Sequence, residues 1–232
     1  MLPDATALAD AVAGRFIAAA GEAIDSRGQF VVALSGGSTP RDTYRRLGSV
    51  AFVSRVMWSR VQVLWADERC VPPDHVESNY RMARETLLDR VPIPATNVHR
   101  IHGEDDPATA ARDYEATLRA FARIDLVLLG LGEDGHTASL FPGSAAVGEQ
   151  TRWVMAVHTA AASMWRITLT PAIINAAAEV LFLVSGGAKA GILRRVLEGP
   201  RRPQELPAQA IAPTNGRIRW WVDAAAAADL TP

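Results

Sequence analysis

The sequence predicts an α/β protein: one three-layer domain over residues 1–232, with a mostly parallel sheet flanked by helices. Three observations predict it. Short, wholly apolar runs recur along the chain, as expected of strands buried on both faces. Stretches with helical apolar spacing and capping residues lie between them. Polar or glycine-rich loops follow the runs, and strands separated by helices imply right-handed βαβ units.

Taken in order, Asp4 can cap a helix carrying Leu8, Val12, Phe16 and Ala20 on one face and closed near Gly28. Phe30–Leu34 is the first buried strand, followed by a turn at 35–40 and a helix over 41–47 with Pro40 in its first turn. Val61–Trp65 is the second strand. A polar loop over 66–77 leads to a helix over 78–88, Pro92 and Pro94 break the chain, and 107–122 is helical again. The run at 126–131 is the most apolar strand, and a polar, glycine-rich loop fills 132–144. Strands are predicted at 153–157 and 167–169, a short helix at 171–178, a strand at 180–184, and a helix over 189–197. Arg217–Val222 is the last strand, and the Ala-rich 224–230 stretch is expected to form a final helix. Ligands of open parallel sheets sit beyond the carboxyl ends of the strands. The loops after 30–34, 61–65, 126–131 and 180–184 are therefore expected to converge on one crevice.

Composition narrows the function. Hydrophobic residues are 49% and charged residues 21%, as in ordinary globular proteins, and the formal net charge is −1. A near-neutral chain offers no overall field for nucleic acid or an anionic membrane, so neither is expected as a partner. No stretch approaches a membrane span, and the N-terminus lacks the positive region of a signal peptide. The expectation is a soluble cytoplasmic protein. A single cysteine, Cys70, excludes an internal disulfide and a Cys-rich metal site, and the histidines His75, His99, His102 and His158 show no metal-ligand spacing. No metal or other cofactor is expected. Of the 24 basic residues, 23 are arginine, so the lone Lys189 stands out as a place where arginine does not serve.

Four places can carry chemistry. Ser35-Gly36-Gly37-Ser38-Thr39-Pro40 joins a buried strand to a helix, where exposed N–H groups and a helix dipole can hold an anion. A plain tight turn with a helix cap fits the same residues. Asp67-Glu68-Arg69 follows the second strand and either organises a site or forms exposed ion pairs. Gly132-Glu133-Asp134-Gly135-His136-Thr137 follows the third. An unperturbed imidazole titrates near pH 6.5, which suits a general base, and Asp134 can fix its tautomer. The bland alternative is a structural histidine bonded to backbone. Lys189, after Ser185-Gly186-Gly187, would add charge to an anion site, and Arg166 is a second candidate. Arg194, Arg195, Arg201 and Arg202 read as a solvated face, and Trp220-Trp221 as packing.

Together these motifs resemble the 6-phosphogluconolactonase family, within the wider group that includes glucosamine-6-phosphate deaminases and ribose-5-phosphate isomerases. The resemblance rests on Gly36-Gly37-Ser38-Thr39-Pro40, Asp67-Glu68-Arg69, Glu77-Ser78-Asn79-Tyr80, the stretch from Gly130 to Pro142, Arg166-Ile167-Thr168, Gly187-Ala188-Lys189 and Leu206-Pro207-Ala208-Gln209, in that order. It implies a Rossmann-like sheet and metal-free hydrolysis of 6-phospho-D-glucono-1,5-lactone, a small sugar-phosphate lactone, to 6-phosphogluconate, the second step of the oxidative pentose phosphate pathway. It further implies catalytic roles for His136, Asp134 and Asp67, with His136 deprotonating the attacking water. Gly36, Gly37, Ser38 and Thr39 would bind phosphate, Arg166 and Lys189 would neutralise it, and Arg69 would serve either phosphate or the developing oxyanion. A monomer is the expected state. Two departures are visible: Trp165 beside Arg166, and the absence of Pro and Lys from 160–165. An amino-sugar phosphate deaminase would carry an aromatic residue where Arg69 stands. A non-catalytic sugar-phosphate sensor would need no His136, and no helix-turn-helix region precedes residue 30.

Overall fold

The computed structural model describes residues 1–159 and 164–231. Helix α1 (Ala5–Arg27) opens where the Asp4 carboxylate accepts the Ala7 N–H at 2.8 Å, and it closes at Gly28 in the left-handed region. Its buried stripe carries Leu8, Val12, Phe16 and Ala20, as the spacing predicts. Phe16 meets Phe30 edge-on at 5.2 Å and also packs on Trp58, which seats the helix on the first strand.

The strands β1 (Phe30–Leu34), β2 (Val61–Trp65), β4 (Leu126–Leu129), β7 (Glu179–Val184) and β8 (Arg217–Val222) form a five-stranded sheet in the order β2-β1-β4-β7-β8. Every pairing in it is parallel. Strands β1, β4 and β7 are buried along their whole length, which explains their continuous apolar runs. Helices α2 (Ser38–Leu47), α4 (Asn79–Thr86) and α7 (Ala190–Glu198) follow strands, α5 (Pro107–Leu118) leads into β4, and the short α3 (Val50–Val53) and α6 (Pro171–Ile174) fill connections. Among the described residues no helix is long and apolar enough to cross a membrane.

The sequence does not foresee a second sheet. β3 (Asp67–Arg69), β5 (Val154–Thr159) and β6 (Met164–Leu169) pair antiparallel in the order β3-β6-β5. The expected polar loop over 66–77 therefore begins with a strand. Ala66 explains the transition: its N–H bonds the Leu34 carbonyl of β1, and its own carbonyl accepts the Leu169 N–H of β6, both at 2.8 Å. The chain leaves the parallel sheet at this residue and enters the antiparallel one. Asp67 and Glu68 are thereby buried, not displayed in surface ion pairs. Their charges hide the strand from any reading based on apolar runs.

Other boundaries shift modestly. α2 starts at Ser38 rather than 41, and α5 ends at Leu118 rather than 122. The last Ala-rich stretch is a series of turns, not a helix. Only the Ala227 N–H to Asp223 carbonyl bond has helical spacing there; Ala228 and Leu230 bond three residues back. The Asp223 carboxylate is meanwhile shared among Ser185, Gly186 and Ala226, which fixes this end to the β7 turn. Alanine propensity loses to that tertiary demand.

Phe16→Ala should test the α1 seat. Removing a fully buried ring that contacts two aromatic neighbours is expected to cost about 3–5 kcal/mol, read as a lower urea midpoint at constant slope.

Candidate active site

A cleft of about 260 Å³ opens at the carboxyl ends of β1, β2, β4 and β7. All four predicted loops reach it, together with Asn79 and Arg166. A larger cavity, about 670 Å³, is lined by Tyr80, His99 and Tyr114 but gathers none of the residues singled out by their chemistry.

The first wall is the turn after β1. Ser35 is anchored from both sides: its hydroxyl donates to the Leu128 carbonyl, and its backbone N–H and C=O engage the buried Tyr44 hydroxyl. Gly36 follows because Asn79 lies directly against it. A Cβ built there would sit 1.9 Å from Asn79 Oδ1. Gly37 then takes a positive φ of 103°, and α2 begins at Ser38 with no side-chain cap. Its first N–H groups and the Ser38 and Thr39 side chains are thus left at the cleft, with the positive end of the helix dipole behind them.

The second wall is cationic. β3 and β6 register Arg69 directly opposite Arg166, and both line the cleft. Like charges directly opposite across a strand pair repel. Burial, and then the proximity of Arg69, pull the Arg166 guanidinium below its ordinary range. One Arg69 nitrogen donates to the Glu77 carbonyl, and the Arg166 guanidinium lies 5.6 Å over the Phe141 ring. The Nε of each arginine is buried without a hydrogen-bond partner among the described residues. Such a pair is complementary to an anion.

The third wall is the loop after β4. His136 Nδ1 lies 2.5 Å from Asp134 Oδ1, and the same oxygen accepts the His136 backbone N–H at 3.0 Å. With Nδ1–H engaged, Nε2 is the basic nitrogen. Partial burial opposes it, but the His136 N–H and imidazole hold the Asp134 carboxyl below the usual aspartate range. Phe141 backs the imidazole at 4.8 Å. A Cβ on Gly132 would come within 2.1 Å of His136 Nδ1, so only glycine leaves the ring its place. Ala138, two residues beyond, holds a positive φ of 48°, a conformation a non-glycine residue keeps only under local constraint. The Leu206-Pro207-Ala208-Gln209 segment supports the loop, since the Ala208 N–H bonds the Gly135 carbonyl.

The fourth wall is the β7 turn. Asp223 accepts from the Ser185 hydroxyl at 2.5 Å and from the Gly186 N–H at 3.1 Å. Burial works against its ionisation, yet those donors keep its carboxyl below the ordinary range. Lys189 reaches the cleft with Nζ 3.8 Å from the exposed Glu133.

The structure thus gathers Gly36, Gly37, Ser38, Thr39, Asp67, Arg69, His136, Arg166 and Lys189 on one cleft, with Asp134 behind His136. Residues 160–163 lie outside the described residues, so the departure noted there carries no structural statement. Trp165 is clear: β-strand alternation turns it away from Arg166, and it packs edge-on against His158. Sequence reasoning gave no role to Asn79, Ser139 or Asp223. Asn79 sits within a quoted motif, but its partners are remote in sequence. Nothing in the chain marks Asp223.

A model of the family described as glucosamine-6-phosphate isomerases/6-phosphogluconolactonase matches residues 3–220. The chain belongs to this family. It is 39% identical to the 6-phosphogluconolactonase of Nostoc sp. over all of this chain and 97% of that protein. It is 40% identical to that of Synechocystis sp., over 91% of this chain and 89% of the relative. Among solved structures, 6-phosphogluconolactonase from Trypanosoma brucei superposes with a TM-score of 0.88 at 28% identity, over 100% and 97% of the two chains. A monomeric glucosamine-6-phosphate deaminase shares the fold, with a TM-score of 0.84 at 21% identity over 98% and 97%.

Two measurements probe this geometry. Gly132→Ala should fold but swing the imidazole off Asp134, so the strongly downfield Nδ1–H proton signal of His136 should vanish from the NMR spectrum. Asp223 has a depressed folded pKa, so its contribution is complete above the ordinary aspartate value of about 3.9 and is lost as pH falls through the folded value. The Tm gap between wild type and Asp223→Asn should therefore be widest near neutrality and shrink toward pH ~3.

Proposed function

We propose that the chain hydrolyses 6-phospho-D-glucono-1,5-lactone to 6-phospho-D-gluconate by histidine-activated water attack, in the oxidative pentose phosphate pathway. The enzyme class is that of its relatives, which are lactone hydrolases. The observation that carries the mechanism is the pairing of an Asp134-oriented imidazole with a cleft rich in anion-binding groups. A lactone is an activated ester, so the protein has three tasks: hold the phosphate, deprotonate one water, and stabilise the resulting oxyanion.

In this reading the uncapped start of α2, with Gly36, Gly37, Ser38 and Thr39, receives the phosphate through backbone and hydroxyl donors. Lys189 and Arg166 balance its charge. His136 Nε2 takes a proton from water as the water oxygen attacks the lactone carbonyl carbon. The carbonyl π-electrons move to oxygen, and Arg69 faces the charge that develops there. Collapse of the tetrahedral intermediate breaks the ring C–O bond. The proton on His136 passes to the departing ring oxygen, leaving a free hydroxyl and a carboxylic acid that ionises. Asp134 acts through His136 by fixing its tautomer and orientation. Residues 1–232 form one catalytic unit in this reading, monomeric and cytoplasmic.

Hydrolysis of freshly generated lactone, followed by NMR against the spontaneous rate, tests it. The wild type should accelerate ring opening, and His136→Ala should lose on the order of 10²-fold or more in kcat with little change in KM. Lys189→Ala should mainly raise KM. Release of ammonia from glucosamine 6-phosphate, without lactone turnover, would overturn the assignment.

A further inference from the structure

Asp67 looks at first like a catalytic carboxylate: it lines the cleft and follows the second strand. Its hydrogen bonds say otherwise. Oδ2 accepts the Ser139 hydroxyl at 2.6 Å, and Oδ1 accepts the Asn79 side-chain N–H at 3.1 Å. Asn79 Nδ2 also donates to the Asp67 carbonyl at 2.8 Å, so one amide grips both the side chain and the backbone. Ser139 is held a second time, because its N–H donates to the Thr168 hydroxyl of β6 at 3.2 Å. Thr168 is the residue registered opposite Asp67. All four side chains are buried: Asp67 5%, Asn79 3%, Ser139 0% and Thr168 0% exposed.

This cluster joins three of the four walls. Ser139 lies three residues after His136, in the same loop. Asn79 opens α4 and packs against Gly36 of the anion turn. Asp67 and Thr168 belong to the strands that carry Arg69 and Arg166. We propose that Asp67 is a positioning residue: a buried strut, completed by Ser139 and Asn79, that sets the distance between the His136 loop and the Arg69–Arg166 pair. It moves no proton in the reaction. Both of its oxygens already serve as acceptors for fixed donors, and its burial leaves little room for a substrate proton to reach it.

The strut makes a prediction that a proton carrier does not share. An amide at position 67 can keep the same links: its oxygen accepts from Asn79, and its N–H donates to the Ser139 hydroxyl, which can rotate to accept. Asp67→Asn should therefore retain kcat within about tenfold, with the wild-type pH profile. The charged and titratable groups around it are Glu68 and Arg69 on its own strand, Arg166 on β6, Tyr44 on α2, and His136 in the loop. Ser139→Ala and Asp67→Ala break the strut. Each should lose about 10²-fold in kcat while KM for the lactone changes less than threefold, because the phosphate contacts stay in place.

The inference rests on the lactonase reading for its activity readout, so a second readout stands apart from turnover. Hydrogen exchange over residues 136–140 should quicken in Ser139→Ala and Asp67→Ala but stay at the wild-type rate in Asp67→Asn. If Asp67→Asn is as inactive as Asp67→Ala while exchange is unchanged, Asp67 transfers a proton and the proposal falls. If Ser139→Ala leaves both kcat and loop exchange at wild-type values, there is no strut. If the wild type fails to open the lactone, the functional reading fails, and exchange alone then decides the strut.

Discussion

The Glu68 carboxylate sits on β3 but takes three of its four hydrogen bonds from the start of α4. Oε1 accepts the N–H groups of Asn79 and Arg69, and Oε2 accepts the Tyr80 N–H and the Ser78 hydroxyl. A carboxylate at a helix N-terminus satisfies donors the helix cannot satisfy itself, and it meets the positive end of the dipole. Burial pushes the Glu68 carboxyl up, and those backbone donors pull the other way. Because side chains alternate along a strand, pointing Glu68 into α4 turns Asp67 and Arg69 together toward the cleft. The three-residue strand thus stays aligned because its middle side chain is bolted to a helix.

Much of the fold was legible. The inner parallel strands β1, β4 and β7 announce themselves as apolar runs, since burial on both faces leaves no polar alternation to confuse the pattern. The cleft was legible for the same reason: loops at the carboxyl ends of such strands have to meet. What escaped was the antiparallel sheet. β3 reads Asp67-Glu68-Arg69, three charged residues that satisfy their needs through Ser139, Asn79, α4 and β6. Its partner β6 carries Trp165 and Arg166 in the half that crosses β3's arginine. β5 and the 167–169 half of β6 read as strands in the sequence, but β3 and the rest of β6 make sense only beside their neighbours.

The candidate residues were recognised by type and place, but not by the links between them. His136 and Asp134 are two residues apart and could be paired on inspection. Asp67 and Ser139 are separated by 72 residues and Ser185 and Asp223 by 38. Those contacts follow from sheet register, which no local pattern contains. The final Ala-rich stretch failed for a related reason. Asp223 serves the β7 turn with its carboxylate, and that distant obligation outweighs a run of five alanines.

The antiparallel sheet also makes the cationic face a separable part. Arg69 and Arg166 meet through a strand of only three residues, against their own repulsion. The five-stranded sheet is paired separately from it. A fluctuation confined to β3 and β6 therefore disperses the arginine pair while the parallel sheet behind it stays intact.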